Sequence, residues 1–450
     1  MRLEEAVEAG LGRGGAKVVL AEDFSRVNFR LANNTVTTNG REDSSSAGVV
    51  AVEQDQVGAQ SADITQAEQV VALAQAARER ARQSPKAPDA LPLLESAEAA
   101  QPQEQVGGPV GPEDLDLLLG PVGELLERSR SRELRCFGYA QATATRQLLG
   151  TAAGVRLEGW RRAASFTLTL KTKDLKQSVW AGGTASSLGQ LDPLALYQSL
   201  EERLGWSQRQ VALPAGHYQV LLEPSATSDF LLRLIWEMHA RGADEGRTVF
   251  ATPAGTRVGE HMYAEQVTLE SDPADPEMAV PGFVRSLGSS EYSSVFDNGL
   301  AVRPTTWVDH GVQQELICPR RWARDHRHPV RPDCDNLRMR GGEASLEEMI
   351  RSTERALLLT SLWYIRDVDE STLLLTGLTR DGVFLIEKGE VVGAVNNFRF
   401  NESPVGVLHR TVEIGRTELA LSREAGDEVF LAAPPIRVEN FFMSSVSDAV

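Results

Sequence analysis

Two stretches in the second half of the chain, "TTWVDHGVQQELI" (305–317) and "GVFLIEKGEVVGAV" (382–395), each read as a strand, a tight glycine turn and a second strand. Turns this short join antiparallel neighbours, so the chain is expected as α+β and not as an alternating βαβ series. A third hairpin is expected near the start. There Val18 and Leu20, then Val27, Phe29 and Leu31, alternate as strand residues should, with Asn33-Asn34 as the turn.

Helical signals are interleaved with these strands. Asp63 is expected to cap a helix whose apolar face is Ile64, Ala67, Val70, Val71 and Ala74, with Gln66 at the capping-box position. The leucine-rich "DLDLLLGPVGELLERSRS" (114–131) predicts a second helix, and Asp192-Pro193 starts a third that Gly205 closes. In "SDFLLRLIWEMHARGADEGR" (228–247), Leu231, Leu234, Ile235 and Met238 recur at helical intervals around His239, and Ser345 with Glu348 caps "EEMIRSTERALLL" (347–359). The Pro-, Gly-, Ala- and Glu-rich run after Gln83 cannot easily support a core and predicts a mobile linker. The expected division is a small N-terminal α/β domain over 1–83, a linker over 84–113, a central domain over 114–222 and a large β-rich domain over 223–450.

With 450 residues, 42% of them hydrophobic, the chain can build more than one core, and no apolar run approaches the ~18 residues of a membrane span. The start "MRLEEAVEAGLGRGG" has no continuous apolar segment of the secretory kind, so a soluble, cytoplasmic protein is expected. Cys136, Cys318 and Cys334 lie far apart and predict free thiols. A formal charge of −17 repels phosphate backbones, which argues against nucleic acid as a partner.

Familiar catalytic motifs are missing from the sequence: it has no GxSxG elbow, Walker loop or GxGxxG after a strand. The glycines of "GLGRGG" precede the first strand and read as a helix-ending turn. His326, His328 and Cys334 in "DHRHPVRPDCD" (325–335), with Asp325, Asp333 and Asp335 nearby, are the most metal-like cluster, but Arg324, Arg327 and Arg331 among them would repel a cation. An exposed arginine-rich loop is the expectation there. His239 reads as a helix-end histidine, His310 falls in a hairpin turn, and His217, His261 and His409 have no partner spacing. The acidic "ESDPADPE" lacks the glycine-punctuated alternation of a calcium loop.

In order along the chain, "VGEHMYAEQVTLESDP", "FDNGLAVRPTTWVDHGVQQEL", "GEASLEEMI", "DGVFLIEKGEVVGAVNNFRFNESPVGVL" and "APPIRVENFFMSSVSDAV" resemble the successive signatures of the TldD/PmbA family. "VNFRLANNTVTTNG" and the helix after Asp63 look like the same family's opening domain. The resemblance implies paired, related subunits, TldD and TldE (PmbA), that form metal-dependent peptidases acting on peptides or unfolded segments. In the TldD type, it further implies HExxxH on the helix that opens the C-terminal domain, and a metal-binding cysteine near the chain end.

Laid on this sequence, that helix offers Leu234 and Ile235 where a His-Glu pair would fall with His239 as the last histidine. "ELALSREAGDEVFLAAPP" contains no cysteine, and Cys334 comes too early in the family's order. The chain therefore resembles a TldE-type subunit, with no catalytic or metal residues of its own, no cofactor in this chain, and zinc expected in an HExxxH-bearing partner. Such a subunit would close the partner's cavity with β-rich walls that pair with an extended substrate. Asn298, Arg303, Asn396, Asn397 and Arg399 are the candidates to line that channel. Two alternatives stay open: a self-contained metal-dependent hydrolase using His326, His328 and Cys334, and a peptide-binding protein without catalysis.

Overall fold

The computed structural model describes residues 2–101 and 107–447, apart from the side chains of residues 427 and 428. The class is α+β, as expected. Strands β1 (Val18–Ala32) and β2 (Thr35–Glu53) meet at Asn33 and Asn34, whose φ values of 51° and 65° are the left-handed pair that such a turn requires and asparagine tolerates. With β3 (Gln56–Asp63), β4 (Arg135–Thr151), β5 (Arg156–Lys171) and β6 (Ser178–Ala185) they form an antiparallel sheet in the order β3-β2-β1-β4-β5-β6. β1 pairs with β4 from Val18 opposite Thr151 to Leu31 opposite Gly138, so one sheet draws strands from both sides of residues 84–113.

Period-two alternation along β1 decides what covers each face. Val19 and Ala21 meet α1 (Leu3–Leu11) and α2 (Ala67–Gln83), while Val27, Phe29 and Leu31 on the same face meet α3 (Pro112–Ser131) and α4 (Pro193–Trp206). The cap of α2 differs from expectation. Asp63 still belongs to β3, opposite Ser46, so the helix starts three residues later than expected, with Gln66 as N-cap. There the Gln69 side chain accepts from the backbone N–H groups of Thr65 and Gln66, at 2.7 and 2.9 Å. At α4 the Asp192 carboxylate accepts from the N–H groups of Leu194 and Ala195 as expected, but the helix runs past Gly205 to Trp206.

The stretch expected as a mobile linker has almost no regular structure over residues 84–101, yet it is packed; residues 102–106 lie outside the described residues. Its Ala and Leu side chains fill the other face of β1: Leu91, Leu93 and Ala100 join Val18, Leu20, Phe283 and Phe296 in one apolar cluster. Ser294 donates to Asp89 at 2.6 Å, and Arg320 and Arg321 donate to the carbonyls of Pro92 and Ala90. The segment is a strap tied to the C-terminal half.

That half holds a ten-stranded and a six-stranded sheet, with α5 (Pro224–Glu237) between them. Gly216–Leu222 lies inside the larger sheet, antiparallel to Ile436–Val446 and parallel to Arg355–Leu359. Both glycine hairpins form, with left-handed His310-Gly311 and Lys388-Gly389 at their tips. The helix capped by Ser345 and Glu348 ends at Arg351, earlier than expected, because "RALLL" (355–359) is a strand with neighbours on both sides. No described helix is long and apolar enough to cross a membrane.

Candidate functional site

Helix α5 is buried on nearly every side. Residues 226–232, Leu234 and Ile235 are buried, and the Phe230 ring packs against Phe400 and Phe441 at 5.8 and 6.1 Å. Such a helix belongs in a core, and over its last two turns Arg233, Trp236 and Glu237 open to the surface. Arg233, Trp236 and Glu237 reach into a cleft of about 590 Å³, whose other walls come from residues within 281–285, 290–293 and 332–335, and from Asp297, Leu300, Val302, Cys318 and Asp367.

Most charges in this cleft are neutralised by partners. Arg233 lies 3.7 Å from Asp367 and 3.4 Å from Glu424, Arg285 pairs with Asp335, and Arg320 holds Asp297 through its Nε at 3.2 Å and its backbone N–H. Burial pushes Asp297 up to about 6 despite that pair. Glu237 and Asp333 have no arginine or lysine partner among the described residues. Burial, then the charges of Asp367, Glu370 and Glu291, push Glu237 up to about 7. Enclosure by the cleft and the Asp335 charge push Asp333 upward too, although its surface is open to solvent and water moderates that push. Between them sits Tyr292, raised to about 12 by burial and by the carboxylates of Glu237, Glu291 and Asp333.

His239 lies just beyond α5 and caps the next short helix, Ala240–Asp244, where its Nδ1 accepts from the Gly242 N–H at 3.1 Å. The same Nδ1 lies 3.2 Å from a carboxylate oxygen of Glu291, and Nε2 lies 4.0 Å from Glu237. Burial lowers the His239 pKa, and its ring meets Tyr292 edge-on at 4.8 Å. Leu234 and Ile235 belong to the apolar core.

The His326, His328 and Cys334 cluster is not assembled. Its first part is helical (Arg320–His326), not an extended loop: His326 stacks on Trp322 at 3.8 Å, His328 bonds to Asp244 at 2.8 Å, and the buried Cys334 thiol donates to Asn336 in the cleft wall. Among the described residues no three of His, Cys, Asp and Glu are grouped to hold a metal ion. The cleft also sets Arg233 and Arg285 among its acids, so these donors do not fit a resident zinc ion.

The five channel candidates scatter. Asn298 is buried and spends its amide bracing a loop, accepting from the Ser286 N–H and donating to the carbonyls of Ser286 and Val295. Asn396 accepts from the Leu213 N–H, Asn397 accepts from the Ser447 N–H through its carbonyl, and Arg399 reaches Thr376 within the ten-stranded sheet. Arg303 lines a second chamber, of about 690 Å³, and none of the five lines the cleft beside α5. Sequence reasoning passed over Trp236, Glu237 and Tyr292. The signal was the polar stripe Asp229, Arg233, Glu237, four residues apart on an otherwise apolar helix.

In the C-terminal half two sheets clasp a core helix, and the end of that helix lines a cleft. A model of the PmbA/TldA metallopeptidase C-terminal domain matches residues 215–445, and the chain belongs to the TldD/PmbA metallopeptidase family. No curated protein matched in a sequence comparison. TldE from Thermococcus kodakarensis is similar in structure at TM-score 0.78 and 16% identity, over 98% of this chain and 99% of that one. A putative modulator of a DNA gyrase from Thermotoga maritima MSB8 reaches TM-score 0.77 at 15% identity, over 98% of this chain and 99% of that one. Another putative modulator of DNA gyrase, from Bacteroides thetaiotaomicron VPI-5482, reaches 0.78 at 15%, over 99% of this chain and 98% of that one. At these identities the likeness is one of fold.

Proposed function

We infer that this chain is the metal-free, TldE-type subunit of a two-chain metallopeptidase, closing the peptide cavity of a partner that carries HExxxH and zinc. One observation carries the reading: the helix opening the family domain presents Arg233, Trp236 and Glu237 to its cleft and turns Leu234 into the core, so it offers substrate-facing groups without a ligand pair. The assembly is cytoplasmic, and its substrates are peptides or unfolded segments. As an obligate pair the subunits bury ~2,000 Å² or more.

Co-expression with a TldD-type chain tests this. The two are expected to elute together and to cleave peptide in a chelator-sensitive way, whereas this chain purified alone holds far less than one zinc and has no such activity. Cleavage by the complex is expected to survive His239→Ala, since that imidazole caps a helix. Stoichiometric zinc in the isolated chain, lost on His326→Ala, would instead favour the self-contained hydrolase.

A further inference from the structure

The cleft is one part of a longer groove. Arg233 and Trp236 also line a shallower chamber of about 370 Å³ on one side, and Leu300 and Pro332 are shared with the Arg303 chamber on the other. Three chambers in series suit an extended chain, and their charges differ. Glu237 and Asp333 in the middle lack a cationic side-chain partner, and in the chamber beyond Trp236 the nearly sealed Asp229 has one oxygen on Ser422 and the other unpartnered. Glu237 is half-buried and Asp333 opens to solvent at the cleft surface, so both stay within reach of a ligand, and the partner that neither has at bonding distance is a cation. Tyr292 lines the same cleft and brings an aromatic ring to that cation, while the Trp236 ring already carries the Arg233 guanidinium at 5.2 Å.

We propose that the middle chamber is a subsite for a basic side chain of the bound peptide, its ammonium or guanidinium group seated between Glu237 and Asp333 against the Tyr292 ring. This rests on the peptide-cavity reading above and narrows it to segments bearing lysine or arginine. A cation completes the local charge balance, while an acidic residue there meets two carboxylates.

Binding to the isolated chain, followed by fluorescence anisotropy, tests the subsite with three labelled short peptides of glycine, alanine and threonine, alike except for a central lysine, glutamine or glutamate. The lysine peptide is expected to bind at least about tenfold tighter than the glutamine peptide, the scale of one charge-assisted hydrogen bond, with glutamate weakest. In Glu237→Gln with Asp333→Asn the lysine advantage disappears, while circular dichroism and the melting temperature are maintained. Equal binding of lysine and glutamine peptides by the wild-type protein overturns the subsite and leaves the peptide cavity standing. Failure of all three to bind also overturns it, and the co-expression experiment then decides the peptide reading by itself.

Discussion

Arg203→Ala lowers the unfolding free energy at pH 8 by about 3–5 kcal/mol, the expected cost of stranding one partner of a buried ion pair. Arg203, on α4, donates two bonds of 2.9 Å to the carboxylate oxygens of Glu223, the residue between strand Gly216–Leu222 and α5. The side chains are only 11% and 9% exposed. Burial pushes Glu223 above its ordinary pKa even with Arg203 beside it, so without the guanidinium the carboxyl protonates more readily. Its folded pKa then stands further above the unfolded value, and the loss grows as pH rises through that window, so the deficit is smaller at pH 5 than at pH 8. Urea unfolding at both pH values measures it. Arg203→Met combined with Glu223→Gln is expected to recover most of the loss, because neither charge is stranded. A single-mutant loss under about 1 kcal/mol would mean the pair is better hydrated than its exposure indicates.

The second large effect is a pH dependence at Asp229. Its carboxyl accepts from Ser422 Oγ at 2.7 Å, and burial, aided by Glu424, raises its pKa from 3.8 to about 7 against the opposing pull of Arg423 and Arg233. A folded carboxyl pKa above the unfolded one means the native state holds the proton more tightly. The stability this confers is complete below the unfolded value near 3.8 and is lost as pH rises through about 7. Compared with Asp229→Asn, which does not titrate, wild-type stability should fall by about 4 kcal/mol between pH 4 and pH 8, three pKa units at about 1.4 kcal/mol each. Parallel stability curves for the two proteins would show that Asp229 ionises freely in the folded state.

Local chemistry was legible where it acts over a few residues. The Asn33-Asn34, His310-Gly311 and Lys388-Gly389 turns, the Asp192 cap and the Ser345–Glu348 box all appear as read, because backbone sterics and one or two hydrogen bonds decide them. Register and partners over distance were not legible. Nothing in "RALLL" distinguishes a helix turn from a buried strand until a parallel neighbour is present, and the strap over 84–101 looks disordered until the face of β1 that it covers is known. The cleft was half legible. The polar stripe on α5 is in the sequence, but Tyr292 and Asp333 come from loops more than fifty residues further along the chain, and only folding sets them opposite Glu237.

Strand Gly216–Leu222 gives the larger sheet an awkward schedule. One neighbour, Arg355–Leu359, follows after more than a hundred residues, and the other, Ile436–Val446, only after more than two hundred. At ~5–20 residues per second of synthesis, its edge and the apolar face of α5 wait roughly 10–40 s for that last strand. A nascent chain stalled before Ile436 therefore presents an unpaired edge beside a greasy helix. The closing strand acts as a latch that arrives long after the strand it covers, and sequences that shorten or block it should be felt first as aggregation during synthesis, before any loss in the finished protein.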